Sequence, residues 1–91
     1  MTEKKILTRH PQGKSGRSIE KAKYDKVAKA IRSALRTKEL THTDLMSGVK
    51  KALDGKFDGN ISWYAETVKL DLEARKVIER TSSRPQRYRL R

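Results

Sequence analysis

Arg80, Arg84, Arg87, Arg89 and Arg91 form the densest group of cations in the chain. Guanidinium groups this close together can grip phosphates as two-pronged donors or enter a narrow minor groove. The competing reading is a charged strand face that keeps a sheet edge from aggregating. Lys14, Arg17 and Lys69 carry the same sign and are assigned here to the same nucleic-acid surface. Other patterns fail on inspection. Gly13-Lys14-Ser15 resembles the end of a phosphate-binding loop, but Thr8 stands where that signature needs its first glycine, and no strand is expected before it. The stretch from Asp54 to Ile61 overlaps a calcium loop, yet Lys56 takes a ligand position and Ala65 replaces the closing glutamate. His10 and His42 stand apart from each other and from carboxylate clusters. No nucleophile–base–acid set, paired-carboxylate site or cofactor loop is discernible, so no enzymatic activity, metal or cofactor is expected.

Composition narrows the class. The chain has 91 residues, one domain's worth, with 34% apolar and 37% charged side chains. Its 23 Lys and Arg against 11 Asp and Glu leave a net charge of +12, which attracts polyanions. Cysteine is absent, so disulfides, thiolate metal sites and cysteine nucleophiles are excluded. No apolar run long enough to span a bilayer occurs, and the N-terminus lacks the apolar core of an export signal. A soluble, cytoplasmic, basic domain with no membrane partner is expected. The positive charge is concentrated in residues 1–38 and 77–91; between 39 and 76 the two signs nearly cancel.

The elements that must position these residues follow from periodicity. Residues 1–17 read as a flexible basic arm, disordered or loosely docked through Ile6 and Leu7, because residues 8–18 hold a proline, two glycines and no apolar side chain. The arm either tracks a nucleic-acid backbone or serves as a solubilising tail. A first helix over 18–37 places Tyr24, Val27, Ala28, Ile31, Ala34 and Leu35 on one face, leaving Lys21, Lys29, Arg32 and Arg36 outside. Glu39-Leu40 reads as a bridging strand. Thr41 can cap a second helix over 42–54, with Asp44 answering three residues on and Gly55 as the stop. A third helix over 60–75 buries Ile61, Tyr64, Ala65, Val68 and Leu72. Phe57, between two Asp-Gly or Gly-containing turns, is expected in the core. From residue 77 the period falls to two, and Gln86 to Arg91 alternates strictly, with Tyr88 and Leu90 inward. A C-terminal β-hairpin over 77–91 is predicted.

This order of elements resembles a winged helix-turn-helix domain across residues 18–91. Its most specific stretch is Leu72-Glu73-Ala74-Arg75-Lys76-Val77-Ile78-Glu79-Arg80-Thr81 followed by Pro85-Gln86-Arg87-Tyr88-Arg89-Leu90. That stretch looks like the junction between third helix and wing in bacterial winged-helix regulators. His10-Pro11-Gln12-Gly13-Lys14-Ser15-Gly16 with Lys23-Tyr24-Asp25 also resembles a small family of uncharacterised bacterial proteins, a likeness that carries no function. The winged-helix resemblance implies a mostly α fold with a C-terminal hairpin, a third helix that enters the DNA major groove, and a wing that touches the backbone. One feature departs from it. The outer face of the third helix carries Trp63, Thr67, Leu70 and Ala74 flanked by Glu66 and Glu73, the wrong chemistry for reading bases. The expectation is therefore a DNA-binding winged-helix protein, a transcriptional regulator in type, that binds duplex DNA through wing, first helix and arm. The alternative is a protein-interaction module, or a homodimer, whose interface is the Trp63–Ala74 stripe.

Overall fold

The structure, a computed structural model, describes residues 4–10, 13 and 16–91. Lys14, assigned to the nucleic-acid surface, lies outside the described residues. In chain order the elements are β1 (Lys5–Leu7), β2 (Ser18–Glu20), α1 (Lys21–Leu35), β3 (Leu40–Thr41), α2 (His42–Leu53), α3 (Ile61–Ala74), β4 (Ile78–Arg80) and β5 (Arg87–Leu90). The three helices pack on one another, and two small antiparallel sheets flank them, one of order β1-β2 and one of order β3-β5-β4.

The helices form where the apolar period demands them. α1 buries Tyr24, Val27, Ala28, Ile31 and Leu35. α2 buries Leu45, Val49 and Leu53, and starts at Thr41, whose side-chain oxygen accepts the Asp44 N–H at 3.2 Å. α3 starts in the same way, with Asn60 Oδ1 accepting the Trp63 N–H at 3.0 Å. Most of the residues expected in the core are buried; Ala34, Phe57, Ile61, Tyr64 and Leu90 are half-buried against the cluster, Phe57 with its ring edge-on to Tyr64. Phe57 sits in the turn between α2 and α3, where one ring face stays open.

α3 ends in a Schellman arrangement: Val77 N–H reaches Leu72 O at 2.9 Å and Lys76 N–H reaches Glu73 O at 3.0 Å. The position that must turn left-handed is Lys76, at φ 63°. A side chain there costs about 1 kcal/mol relative to glycine. Lys76→Gly should therefore stabilise the domain by about 0.5–1 kcal/mol and raise Tm by about 4 °C, as read by thermal unfolding. An unchanged or lowered Tm would show that the strain is already relieved.

The N-terminal part differs from expectation. Residues 5–7 are a strand, not a loose arm, and residues 18–20 are its partner rather than the start of the first helix. The register pairs Lys5 with Glu20, Ile6 with Ile19 and Leu7 with Ser18. The cause is the Ile6–Ile19 pair: Ile19 is buried and Ile6 packs on the core, so two β-branched side chains close a hairpin around a polar loop. Lys21 N–H donates to Lys4 O at 2.9 Å, and Thr8 N–H to Arg17 O at 2.8 Å. Gly16 is required by contact: a Cβ there would lie 1.6 Å from the Thr8 carbonyl oxygen. The expected boundary at residue 17 thus falls inside a hairpin whose far strand leads directly into α1. A strand also precedes Thr8, contrary to the sequence reading, but the missing glycine still rules out a phosphate-binding loop.

Candidate functional site

The C-terminal hairpin places its arginines as the alternation required, but not as free cations. β5 is the central strand, with Glu79 opposite Arg89 and Arg80 opposite Tyr88 on one side, and Thr41 opposite Arg87 on the other. Arg89 bonds Glu79 at 2.7 Å and Glu39 at 3.3 Å. Arg91 lies 3.6 Å from the same Glu79. Arg80 forms a two-pronged pair with Glu73 and lies over the Tyr88 ring. Hydrogen bonds to these carboxylates push the Arg80 and Arg89 pKa values above the ordinary arginine value. Three of the five wing cations are therefore already neutralised. Such exposed pairs add little to stability, yet they lower the field a phosphate would meet. Arg84, in the turn, and Arg87 have no carboxylate partner among the described residues.

Lys69 must be removed from the surface altogether. It is 2% exposed. Its Nζ donates to the Tyr88 hydroxyl at 3.0 Å and lies 4.4 Å from the centre of that ring. Glu66 is 3.8 Å away and in turn lies 3.4 Å from His42 Nε2. The ammonium is held by a ring face, a phenol and a carboxylate, and can offer nothing to a ligand in solution.

Asp71 is the polar centre that sequence reasoning missed. It is fully buried, at 0% exposure, among apolar core side chains. Its Oδ1 accepts the Arg9 backbone N–H at 2.7 Å, its Oδ2 accepts the Tyr24 hydroxyl, and both oxygens accept Arg75 Nε at 2.9–3.0 Å. Burial first, and then the bond to Asp71, push the Tyr24 pKa well up. This carboxylate joins α1, α3 and the N-terminal hairpin. Only its pairing with Arg75, four residues on, follows helical spacing; its other partners come from positions 9 and 24.

The same hairpin settles much of the outer face of α3. Thr67 and Leu70 line a hollow of about 230 Å³ together with Thr8, Arg9, His10, Gly16 and Arg17. Thr67, Leu70 and Ala74 are half-buried, and Trp63 alone is exposed, at 43%. The expected four-residue interface is thus partly sheltered: the hairpin loop faces Thr67 and Leu70 across the hollow, and Trp63 stays exposed. Arg17, expected on a mobile arm, is held here by its backbone, its N–H donating to Thr8 Oγ1 at 2.8 Å.

What the fold does assemble is a cationic groove beside α1. Lys29, Arg32 and Arg36 follow one another at three- and four-residue spacing and line a cleft of about 410 Å³ closed by Tyr24, Leu72, Arg75 and Val77. None of the three has a carboxylate partner among the described residues, whereas Lys21 at the start of the helix is bonded to Asp25 at 2.8 Å. Arg75 adds a fourth cation from the end of α3, paired with and anchored by Asp71. Charge on α1 was readable from the sequence; its meeting with Arg75 was not.

Among the described residues no group of His, Cys, Asp and Glu could hold a metal ion, and no helix is long and apolar enough to cross a membrane. Residues 5–88 match the profile of a family of unknown function (DUF6958), and the chain belongs to that family. Neither a curated protein nor a solved structure matches it.

Proposed function

We propose that this chain is a winged helix-turn-helix protein that binds duplex DNA electrostatically, with little sequence preference. What supports the fold assignment is the order α1-β3-α2-α3-β4-β5 with the sheet order β3-β5-β4, the layout the winged-helix resemblance implies. The observation that carries the binding is the row Lys29, Arg32 and Arg36, at the spacing of one helix face and without carboxylate partners among the described residues, with Arg75, paired to Asp71, beside it. Arg84 and Arg87 supply a second, smaller phosphate contact at the wing. α3 is not taken as the reading element, because Trp63, Leu70 and Ala74 make its outer face largely apolar, unlike a helix that reads bases.

Titration of random-sequence duplex DNA at several salt concentrations tests this. Affinity should fall steeply with salt, by about 0.9 log units per log unit of salt for each phosphate neutralised. Arg32→Ala and Arg36→Ala should each flatten the slope by about one unit, Arg87→Ala similarly, and Arg89→Ala by clearly less because its charge is already engaged. Absence of binding at low ionic strength would end the proposal. An Arg89→Ala effect equal to that of Arg32→Ala would move the contact from the helix to the wing.

A further inference from the structure

Next to the cationic groove, and sharing Lys29 and Ser33 with it, lies a second groove of different chemistry. It runs between α1 and α2, encloses about 700 Å³, and is floored by Ala30, Ala34, Gly48, Ala52 and Leu53. The two helices are close here: a Cβ on Gly48 would stand 3.8 Å from the Ala34 Cβ. Small side chains on both walls make a shallow apolar trough instead of a filled seam. Lys26, Lys29 and Lys56 form its rim, and none has a carboxylate partner among the described residues. An apolar floor is of no use to a phosphate backbone, which needs cations alone. A helix in the trough would bury apolar anchors on that floor and set acidic flanks against the lysines.

We propose that this groove is a docking site for an acidic amphipathic helix of a partner protein. The charge on the rim selects the occupant: a basic or neutral helix would meet three ammonium groups with nothing to offset them. The groove shares Lys29 with the cationic row, but its floor and Lys26 and Lys56 do not belong to that row, so variants at Ala52 and Lys26 test the groove alone.

The test uses the whole chain and a synthetic peptide of about four helical turns, with Leu at i, i+4 and i+7 and Glu on both flanks. Its control is a scrambled peptide of equal composition and charge. Fluorescence anisotropy should show saturable binding at least about tenfold tighter for the patterned peptide. Ala52→Gln adds bulk at an exposed helical position without changing net charge, and should abolish that preference. Lys26→Glu should weaken the patterned peptide about tenfold more than it weakens the scrambled one. Both variants should keep the wild-type circular dichroism, and Ala52→Gln should keep the wild-type DNA affinity. Equal binding of the two peptides, or none, overturns the proposal. So does loss of DNA binding in Ala52→Gln, which would give the groove to nucleic acid. A concentration-dependent mass in sedimentation that Ala52→Gln removes would make the occupant a second copy, and would overturn it as well.

Discussion

Asp71→Ala should cost about 3–5 kcal/mol, most of the stability a domain of this size possesses. The substitution removes one carboxylate and leaves three donors without it: the Tyr24 hydroxyl, the Arg75 guanidinium and the Arg9 N–H. Tyr24 is buried and Asp71 completely so, which gives water little access to replace the lost bonds. Chemical denaturation followed by circular dichroism should show the midpoint falling steeply. Asp71→Asn, which keeps the shape and one acceptor oxygen, should lose less. The N-terminal hairpin should loosen first, because Arg9 hangs directly on Asp71, and hydrogen exchange at the Thr8 and Arg9 amides should report it. A loss under about 1 kcal/mol would mean that the donors have other partners and that the buried carboxylate is dispensable.

Lys69→Ala should cost about 2–3 kcal/mol, the value of burying three methylenes at about 0.8 kcal/mol each. The change also removes the donor to Tyr88 and the cation over its ring. Lys69→Met keeps most of the stem without the charge, and should cost less than about 1.5 kcal/mol. Because Lys69 is sealed behind Tyr88, the folded Met variant should bind duplex DNA as the wild type does. Weakened DNA binding with unchanged stability would return Lys69 to the surface and contradict the packing described here.

The helices were legible because each has a continuous apolar stripe and two have a capping side chain where the stripe begins. Lys69 shows the limit of reading charge before period. Ala65, Leu72 and Val68 define a buried arc on α3, and position 69 lies about 40° beyond Ala65, at the margin of that arc. The angle was informative and the side-chain type misled. Ile19 was lost for another reason: it adjoins a helical pattern and looks like its first turn, while its true partner, Ile6, lies across a polar loop. The wing arginines were placed on the correct face, but their neutralisation depended on two registers. Glu79 meets Arg89 only once β4 is aligned on β5, and Glu39 joins only because β3 comes in on the other side. Long-range pairing of this kind leaves no local signature.

The sheet order β3-β5-β4 also sets the sequence of events in folding. The strand that comes last in the chain lies between the two that precede it, so β3 and β4 share no bond and have nothing to pair with until β5 arrives. α2 can pack on α1 and on α3 as neighbours in the chain, whereas α1 meets α3, and β3 meets β5, only across some four dozen residues. The sheet is therefore complete only once β5 lies between two open edges. A chain interrupted in the 81–86 turn would lose the whole sheet, not one strand of it. Tyr88, which anchors Lys69 from within β5, would leave with it.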